Sequence, residues 1–510
     1  MPMATPSEKL ASSLKELTRL QDKGQIAIRS GELSRTHRQR LLKHGFIQEV
    51  MKGWYIPVPP DETAGESTAW YASFWKFCAS YLEERFGRDW CLSPEQSISV
   101  HVENWTVPAQ LLVKSSAGQN NLVSLPFNTS LLGVKAAMPP GADMLQKDGL
   151  RLFTLPAALV AVSPTFFTSN PVDARAALAM VRDASDVLAK LLAGGHSVIA
   201  GRLAGAFRNI GRADTAHEVL QTMKAAGYDV RENDPFAAAS PVLFSRREPS
   251  PYVNRLRLMW QSMRQPVLEH FPGASGIGST QSAEEYLKHV EEIYTTDAYH
   301  SLSIEGYKVT PEMIERVRQG SWNPDSNATD REQVSALAAR GYWQAFQQVK
   351  SGIEKILGGA NAGEVISTDH RDWYREMFAP SVTAGILKAS DLAGYRNGDV
   401  FIRRSMHVPL KPDAVRDAMP ALMDMLREEE EAAVRVVLGH FIFVYIHPYM
   451  DGNGRMGRFL MNTMMASGGY PWLVVPVEQR AAYMEALEAA SVGGDIVPFT
   501  KFLAGFVGLP

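Results

Sequence analysis

Within the twelve residues from His447 to Arg458 the chain reads His-Pro-Tyr-Met-Asp-Gly-Asn-Gly-Arg-Met-Gly-Arg. Each polar member of that run has a chemical use. His447 titrates near neutral pH and can take a proton from an attacking hydroxyl. Asp451, Gly452, Asn453 and Gly454 supply the permissive backbone of a tight turn whose successive N–H groups can form an anion nest. Arg455 and Arg458 lie three residues apart, so they share a face of the first turn of any helix that starts there. Asp451 is the only acidic residue in the loop, and a carboxylate beside phosphates is tolerable when a hard cation sits between them, which implies Mg²⁺. Base, cation site, nest and arginines together suit a polyphosphate attacked by a hydroxyl. The competing reading is a glycine-rich turn between two core helices, with His447 merely satisfied and both arginines solvated. The ordered set of residues favours the chemical reading.

The elements that must position these groups follow from the flanking sequence. Phe441 to Ile446 continues an apolar helix, and Pro448 pushes His447 out of the helical region, so the helix should end at that corner. A second helix should begin near Gly454, its N-terminus carrying the positive partial charge that favours phosphate. At 510 residues the chain calls for two or three domains, and 45% hydrophobic with 21% charged residues is ordinary for a globular protein. A net charge of -3 names no partner class, so basic patches must be read locally. Cys78 and Cys91 form no metal or redox pattern and read as reduced core residues. No stretch reaches the roughly 20 apolar residues of a membrane span and Met1 to Lys9 lacks a signal-peptide core, so a cytoplasmic protein without membrane contact is expected.

The run from His447 to Arg458 resembles the signature of the Fic (filamentation induced by cAMP) family, His-Pro-Phe-x-Asp/Glu-Gly-Asn-Gly-Arg-x-x-Arg, with Tyr449 replacing Phe as the one departure. The resemblance implies an ATP-dependent protein adenylyltransferase, a nucleotidyltransferase that moves AMP onto a Ser, Thr or Tyr hydroxyl, including its own. Carried over residue by residue, His447 becomes the general base and Asp451 holds Mg²⁺. Gly452, Asn453 and Gly454 bind the inner phosphates, Arg455 and Arg458 reach the outer ones, and the intervening Met456 and Gly457 line the same loop. Asn462 and Tyr483 match positions around the nucleotide pocket. Residues 394–409, with the strand-like run Val400, Phe401 and Ile402 at the nucleotide side, look like the family's β-hairpin flap, which adds a target segment as an extra strand. Ser301 to Gly306 resembles the inhibitory pattern Ser/Thr-x-x-x-Glu-Gly/Asn, in which Glu305 would pair with Arg458 and displace the outer phosphate.

The N-terminal region carries a different signal. Leu14, Leu17 and Leu20 recur at helical spacing, a short helix is expected over 26–33, Ser34 caps a helix from Arg35 to His44, and a hairpin turns at Lys52-Gly53. This is the order of a winged helix. Arg35, Arg38, Arg40 and Lys43 would form its phosphate-contacting face, making residues 23–53 a candidate DNA contact. Residues 10–225 resemble winged-helix type IV antitoxin (abortive infection) regulators.

The expected architecture is multidomain and mainly α: a winged helix over 8–58, a mixed α+β region over 59–230 with strands at 97–102 and 110–114, and an all-α Fic domain over 250–510 bearing the hairpin flap. Within the last, the inhibitory helix spans 285–306 and the core 365–505. The second function reading is a DNA-binding, antitoxin-like regulator whose pocket senses nucleotide, and the family also allows another donor or removal of AMP. A protein substrate on residues 394–409 is the expected partner, and a homodimer is a candidate assembly.

Overall fold

The computed structural model describes residues 5–59, 66–236, 250–273, 282–321 and 334–507. The chain packs as two units, Met1–Pro251 with Phe401–Val408, and Tyr252–Val400 with Pro409–Pro510. Residues 237–249, between the expected mixed region and the expected Fic domain, lie outside the described residues. No helix among them is long and apolar enough to cross a membrane.

The first unit opens with helix Pro6–Gln21, capped by Thr5 and Glu8, whose Leu17 and Leu20 face a small core with Leu33, Leu41 and Ile47. Helix Arg35–Lys43 starts at Ser34, whose hydroxyl accepts from the His37 N–H at 3.3 Å. Strands β1 (Ile28–Arg29), β2 (Ile47–Met51) and β3 (Trp54–Pro57) form an antiparallel sheet in the order β1-β3-β2, turned at Gly53 with φ 85°. The short helix expected over 26–33 is therefore absent: Ile28 pairs with Tyr55 and Arg29 with Trp54, so a free sheet edge outcompetes a helix too short to nucleate.

Downstream, helix Thr68–Phe86 is the spine of a second core built on Trp70, Phe74, Phe77 and Trp90. A mixed sheet of β4 (Cys91–Leu92), β5 (Gln110–Ser115), β6 (Asn121–Ser124) and β7 (Ser130–Lys135) runs in the order β4-β5-β7-β6, with β5 and β7 parallel. Residues 97–102, expected as a strand, instead lie mostly in helix Pro94–His101. Ser93 caps that helix by accepting from the Gln96 N–H at 3.3 Å, and Pro94 presets its first turn. Short apolar runs do not distinguish strand from helix by period, and here the cap decides. Strands β8 (Met144–Lys147) and β9 (Leu150–Phe153) form a hairpin, after which the unit is helical to Ala225. Cys78 and Cys91 are free and buried, and burial pushes both thiols up.

The second unit contains no strand among its described residues. Helix Ala432–Ile446 is apolar nearly all round and occupies the middle of the unit, as such a helix must. Helix Asn453–Ser467 packs against it through Gly457, where an added Cβ would come within 2.9 Å of Val444 and 3.1 Å of His440. Helices Val334–Leu357 and Ala362–Thr383 form a pair in which Gly341 lies directly on the Met377 backbone. Residues 394–411 contain no strand, contrary to the expected hairpin: Val400, Phe401 and Ile402 run irregularly, and Ser405 N–H closes a turn onto the Ile402 carbonyl at 3.1 Å. No neighbouring strand supplies a ladder to the run, and without one a strand has no hydrogen-bonding reason to form.

Candidate active site

His447 ends helix Ala432–Ile446 in the left-handed conformation, φ 54° and ψ 63°. Such a conformation costs a non-glycine residue about 1–2 kcal/mol, so its surroundings must hold it. The His447 N–H donates to the Phe443 carbonyl at 3.1 Å, and its ring Nδ1 lies 3.2 Å from the Val444 carbonyl, which makes that nitrogen the donor and leaves Nε2 to accept. Burial, first, holds the imidazole down to about 4, with Arg396 adding to the drop while the Val444 carbonyl, Glu305 and Asp451 oppose it. The ring is thus neutral at physiological pH, the form a base requires.

The turn that follows is closed by Asn453, whose side-chain oxygen accepts from Tyr449 N–H at 2.9 Å and whose amide donates to the Tyr449 carbonyl at 2.8 Å. With the side chain committed to the loop, Asn453 offers an anion its backbone. Gly452 sits at φ 82°, and a Cβ there would strike the Phe378 ring at 2.8 Å. Tyr449 is fully buried and stacked on Tyr374 with centroids 3.8 Å apart. Its hydroxyl has no hydrogen-bond partner among the described residues, so the ring position is set by stacking.

Helix Asn453–Ser467 begins at this turn and carries both arginines inward, Arg455 at 1% and Arg458 at 3% exposure. Arg455 lies over the rings of Tyr307 and Phe378, each 5.1 Å from its guanidinium carbon, and bonds Asp451 at 3.2 Å. Arg458 donates from Nε to the Ser301 hydroxyl at 2.9 Å, and from Nη2 to the Ser301 carbonyl at 3.0 Å and to Glu305 Oε1 at 2.7 Å. Burial raises the cost of charge on both partners, yet the net shift strengthens it: Glu305 holds Arg458 above its ordinary value, and Arg458, then Arg455, hold the Glu305 carboxyl below its own. Two buried donors, Arg455 Nε and Arg458 Nη1, have no hydrogen-bond partner among the described residues, a fit for an anion that brings its own oxygens.

Glu305 caps the C-terminal end of helix Ala283–Ile304 and reaches the N-terminal end of helix Asn453–Ser467. It comes so close that a Cβ on Gly454 would meet Oε1 at 2.3 Å. Its carboxylate therefore lies at the helix N-terminus, against a glycine and beside Arg458. Asp451 is largely exposed, with Oδ1 accepting from Gly452 N–H at 2.6 Å and Oδ2 on Arg455. No cluster of three metal-ligating side chains occurs among the described residues. A single carboxylate beside a phosphate site still suits magnesium, which commonly binds one or two carboxylates and completes its shell with substrate oxygens and water.

Other residues singled out from sequence have their own places. Asn462 is buried, with its amide oxygen accepting from Leu473 N–H at 2.7 Å and its nitrogen donating to the Leu473 carbonyl at 3.0 Å. The Tyr483 hydroxyl lies 2.6 Å from His440 Nε2, behind Arg458. Met456 is buried in the helix interior, and Gly457 serves helix packing. Val400 falls in the second unit while Phe401 and Ile402 fall in the first. In that first unit Val107 N–H donates to the Met406 carbonyl at 2.9 Å, and Arg403 and Arg404 lie 3.5 and 3.6 Å from the buried carboxylate of Glu66. Among the N-terminal cations, Arg40 is committed to the fold through the Lys9 carbonyl and the Ser13 hydroxyl, both at 2.8 Å, and Arg38 bonds the Ser30 carbonyl, while Arg35 and Lys43 are exposed. Sequence reasoning did not single out Arg396, Tyr307 or Phe378. Arg396 lies within residues 394–409, where its burial at 2% exposure sets it apart.

Residues 368–465 match the Fic/DOC family model. Over 218 residues, 42% of this chain and 40% of the relative, the sequence is 29% identical to "Protein adenylyltransferase Fic" of Drosophila willistoni. Over 220 residues, 42% of this chain and 47% of the relative, it is 28% identical to the protein of that name from Nematostella vectensis. The chain thus spans less than half the length of these curated relatives. Among solved structures, Fic-1 (residues 134–508) of C. elegans aligns with a TM-score of 0.36 and 17% identity, covering 63% of this chain and 88% of that one. His447, the Asp451–Gly454 turn and both arginines all lie in the part of the chain that matches the Fic/DOC family.

Proposed function

We propose that the chain is a protein adenylyltransferase that moves AMP from ATP to a Ser, Thr or Tyr hydroxyl, its own included, and that Glu305 restrains it. The observation that carries this reading is the convergence of a neutral His447, a glycine turn at a helix N-terminus and two buried arginines with unbonded donors. His447 Nε2 takes the proton of the target hydroxyl. The hydroxyl oxygen then bonds to the α-phosphorus while the bond from that phosphorus to the α,β-bridging oxygen breaks, and pyrophosphate leaves in line. The backbone N–H groups of Asn453 and Gly454, in the turn that Gly452 shapes, hold the inner phosphates, and Arg455 and Arg458 take the negative charge of the departing pyrophosphate. A magnesium ion bound through Asp451 would neutralise phosphate charge there.

Restraint follows from competition for one position. Glu305 and the outermost phosphate are both anions suited to Arg458 and the space over Gly454, so the enzyme works when Glu305 swings away. Residues 394–409 would receive the target segment. Labelled ATP tests the chemistry: with Glu305→Gly protein, label in the α-phosphate should become protein-bound while γ-label should not. The reverse pattern would point to phosphate transfer and sink the reading.

Arg35 and Lys43, exposed on a capped helix ahead of a hairpin, support a second role in binding DNA backbone. Each phosphate contact adds about 0.9 to the slope of log affinity against log salt. Changing both residues to Ala should therefore lower that slope by roughly 2, and an unchanged slope would remove this helix as the contact.

A further inference from the structure

Arg396 is 2% exposed, yet no acidic side chain among the described residues bonds it. Its donors go to backbone carbonyls instead. Nε donates to the His447 carbonyl at 2.7 Å, Nη1 to the Gly398 carbonyl at 2.9 Å, and Nη2 to the Leu410 carbonyl, while its own N–H donates to the Pro448 carbonyl at 2.9 Å. A buried guanidinium is expensive, and burial, with Asp399 opposing, brings its pKa down to about 10. A charge kept at that cost on three carbonyls from separate parts of the chain points to a geometric task.

The three carbonyls identify the task. Gly398 lies within the segment proposed to receive the target, Leu410 follows that segment directly, and His447 is the proposed base, held in a left-handed conformation. One planar fork therefore ties Gly398, Leu410 and the backbone of the base together. The neighbouring contacts extend that tie. Asn397 accepts from Arg416 at the start of helix Pro412–Glu428, and the Tyr395 hydroxyl lies 2.9 Å from His370 Nε2.

We propose that Arg396 is the positioning residue of this site, setting the register between the docked hydroxyl and His447. It touches neither substrate nor the reacting atoms and acts through the backbone of His447, Gly398 and Leu410. The proposal rests on the adenylyltransferase reading. Lysine keeps the charge but presents a point donor that does not reproduce a planar fork, so Arg396→Lys separates geometry from electrostatics. A displacement of about 1 Å between base and hydroxyl costs on the order of a hundredfold in rate.

The experiment places Arg396→Lys and Arg396→Gln in the Glu305→Gly protein and measures kcat and the KM for ATP of self-modification. Backbone hydrogen exchange of the full chain is followed in parallel. Expected for Arg396→Lys are a kcat lowered roughly a hundredfold, a KM for ATP within twofold of the parent, and exchange at least tenfold faster in residues 398–410 and 447–449, with helix Asn453–Ser467 unchanged. Lysine supporting the parent's kcat with unchanged exchange would overturn the proposal. A loss confined to the KM for ATP would also overturn it, since Arg396 would then serve the nucleotide. If the Glu305→Gly parent transfers no group from any nucleoside triphosphate, the functional reading fails, and the exchange data alone decide whether Arg396 ties the segment to His447.

Discussion

Replacing Glu305 by Gly removes one partner of an ion pair whose other member is buried. The nitrogen-to-oxygen distance is 2.7 Å, with Arg458 3% and the Glu305 side chain 28% exposed. At an effective dielectric of about 20 the direct attraction at that distance is roughly 6 kcal/mol. Desolvating two ions offsets most of it, and a charge-assisted hydrogen bond of this kind nets about 1.5–3 kcal/mol. Under the proposed restraint, that is about the free energy a phosphate must overcome to displace Glu305 from Arg458. Its removal should raise the initial rate of α-labelled AMP incorporation from saturating ATP roughly ten- to a hundredfold. Stability should move the other way: Arg458 keeps Ser301 but loses its counter-charge, so the variant should melt lower without ATP and gain more from ATP than wild type does. Equal rates for wild type and Glu305→Gly, under conditions where His447→Ala abolishes incorporation, would refute the reasoning.

Three other expectations follow from the same geometry. The His447 pKa is depressed to about 4, so the base is neutral above that value and protonated below it. The kcat of the Glu305→Gly protein should stay level between about pH 6 and 8 and fall only on approach to the depressed pKa, and a steep loss centred near the ordinary histidine pKa of about 6.5 would contradict the assignment. Gly454→Ala places a Cβ 2.3 Å from Glu305 Oε1 and 3.2 Å from Arg458 Nη1, which excludes carboxylate and phosphate alike. In the Glu305→Gly background it should weaken ATP binding by about 1–3 kcal/mol in calorimetry, and an unchanged affinity would show that phosphate does not approach this glycine. Asn462→Ala leaves the buried N–H and carbonyl of Leu473 unpaired, so denaturant melts should report a loss of about 2–4 kcal/mol. A loss of ATP affinity without a loss of stability would instead mark Asn462 as a nucleotide ligand.

The loop was legible because its constraints are local. Pro448 ends a helix, Gly452 admits a positive φ, and Arg455 and Arg458 fall on one face by helical spacing, none of which needs distant contacts. The helix over Arg35–Lys43 and its Ser34 cap were legible for the same reason. Tertiary context decided the remainder. Ile28 becomes a strand only because Tyr55 lies beside it, and residues 97–102 become helical because Ser93 and Pro94 start the turn before their apolar pattern is read. The run from Val400 to Ile402 has strand composition but no ladder partner. The commitment of Arg40 to Lys9 and Ser13, and of Asn462 to Leu473, depends on chain segments distant in sequence or on loop paths that spacing does not encode. Arg396 belongs to the same class, since what distinguishes it from the exposed Arg403 and Arg404 nearby is burial alone.

The most direct test of the central claim is the intact mass of wild-type, Glu305→Gly and His447→Ala protein after incubation with magnesium and each nucleoside triphosphate in turn. The expected result is an AMP-sized increment from ATP in Glu305→Gly, little in wild type and none in His447→Ala. No increment in Glu305→Gly with any donor, while ATP still binds, would contradict it and leave the pocket as a nucleotide sensor.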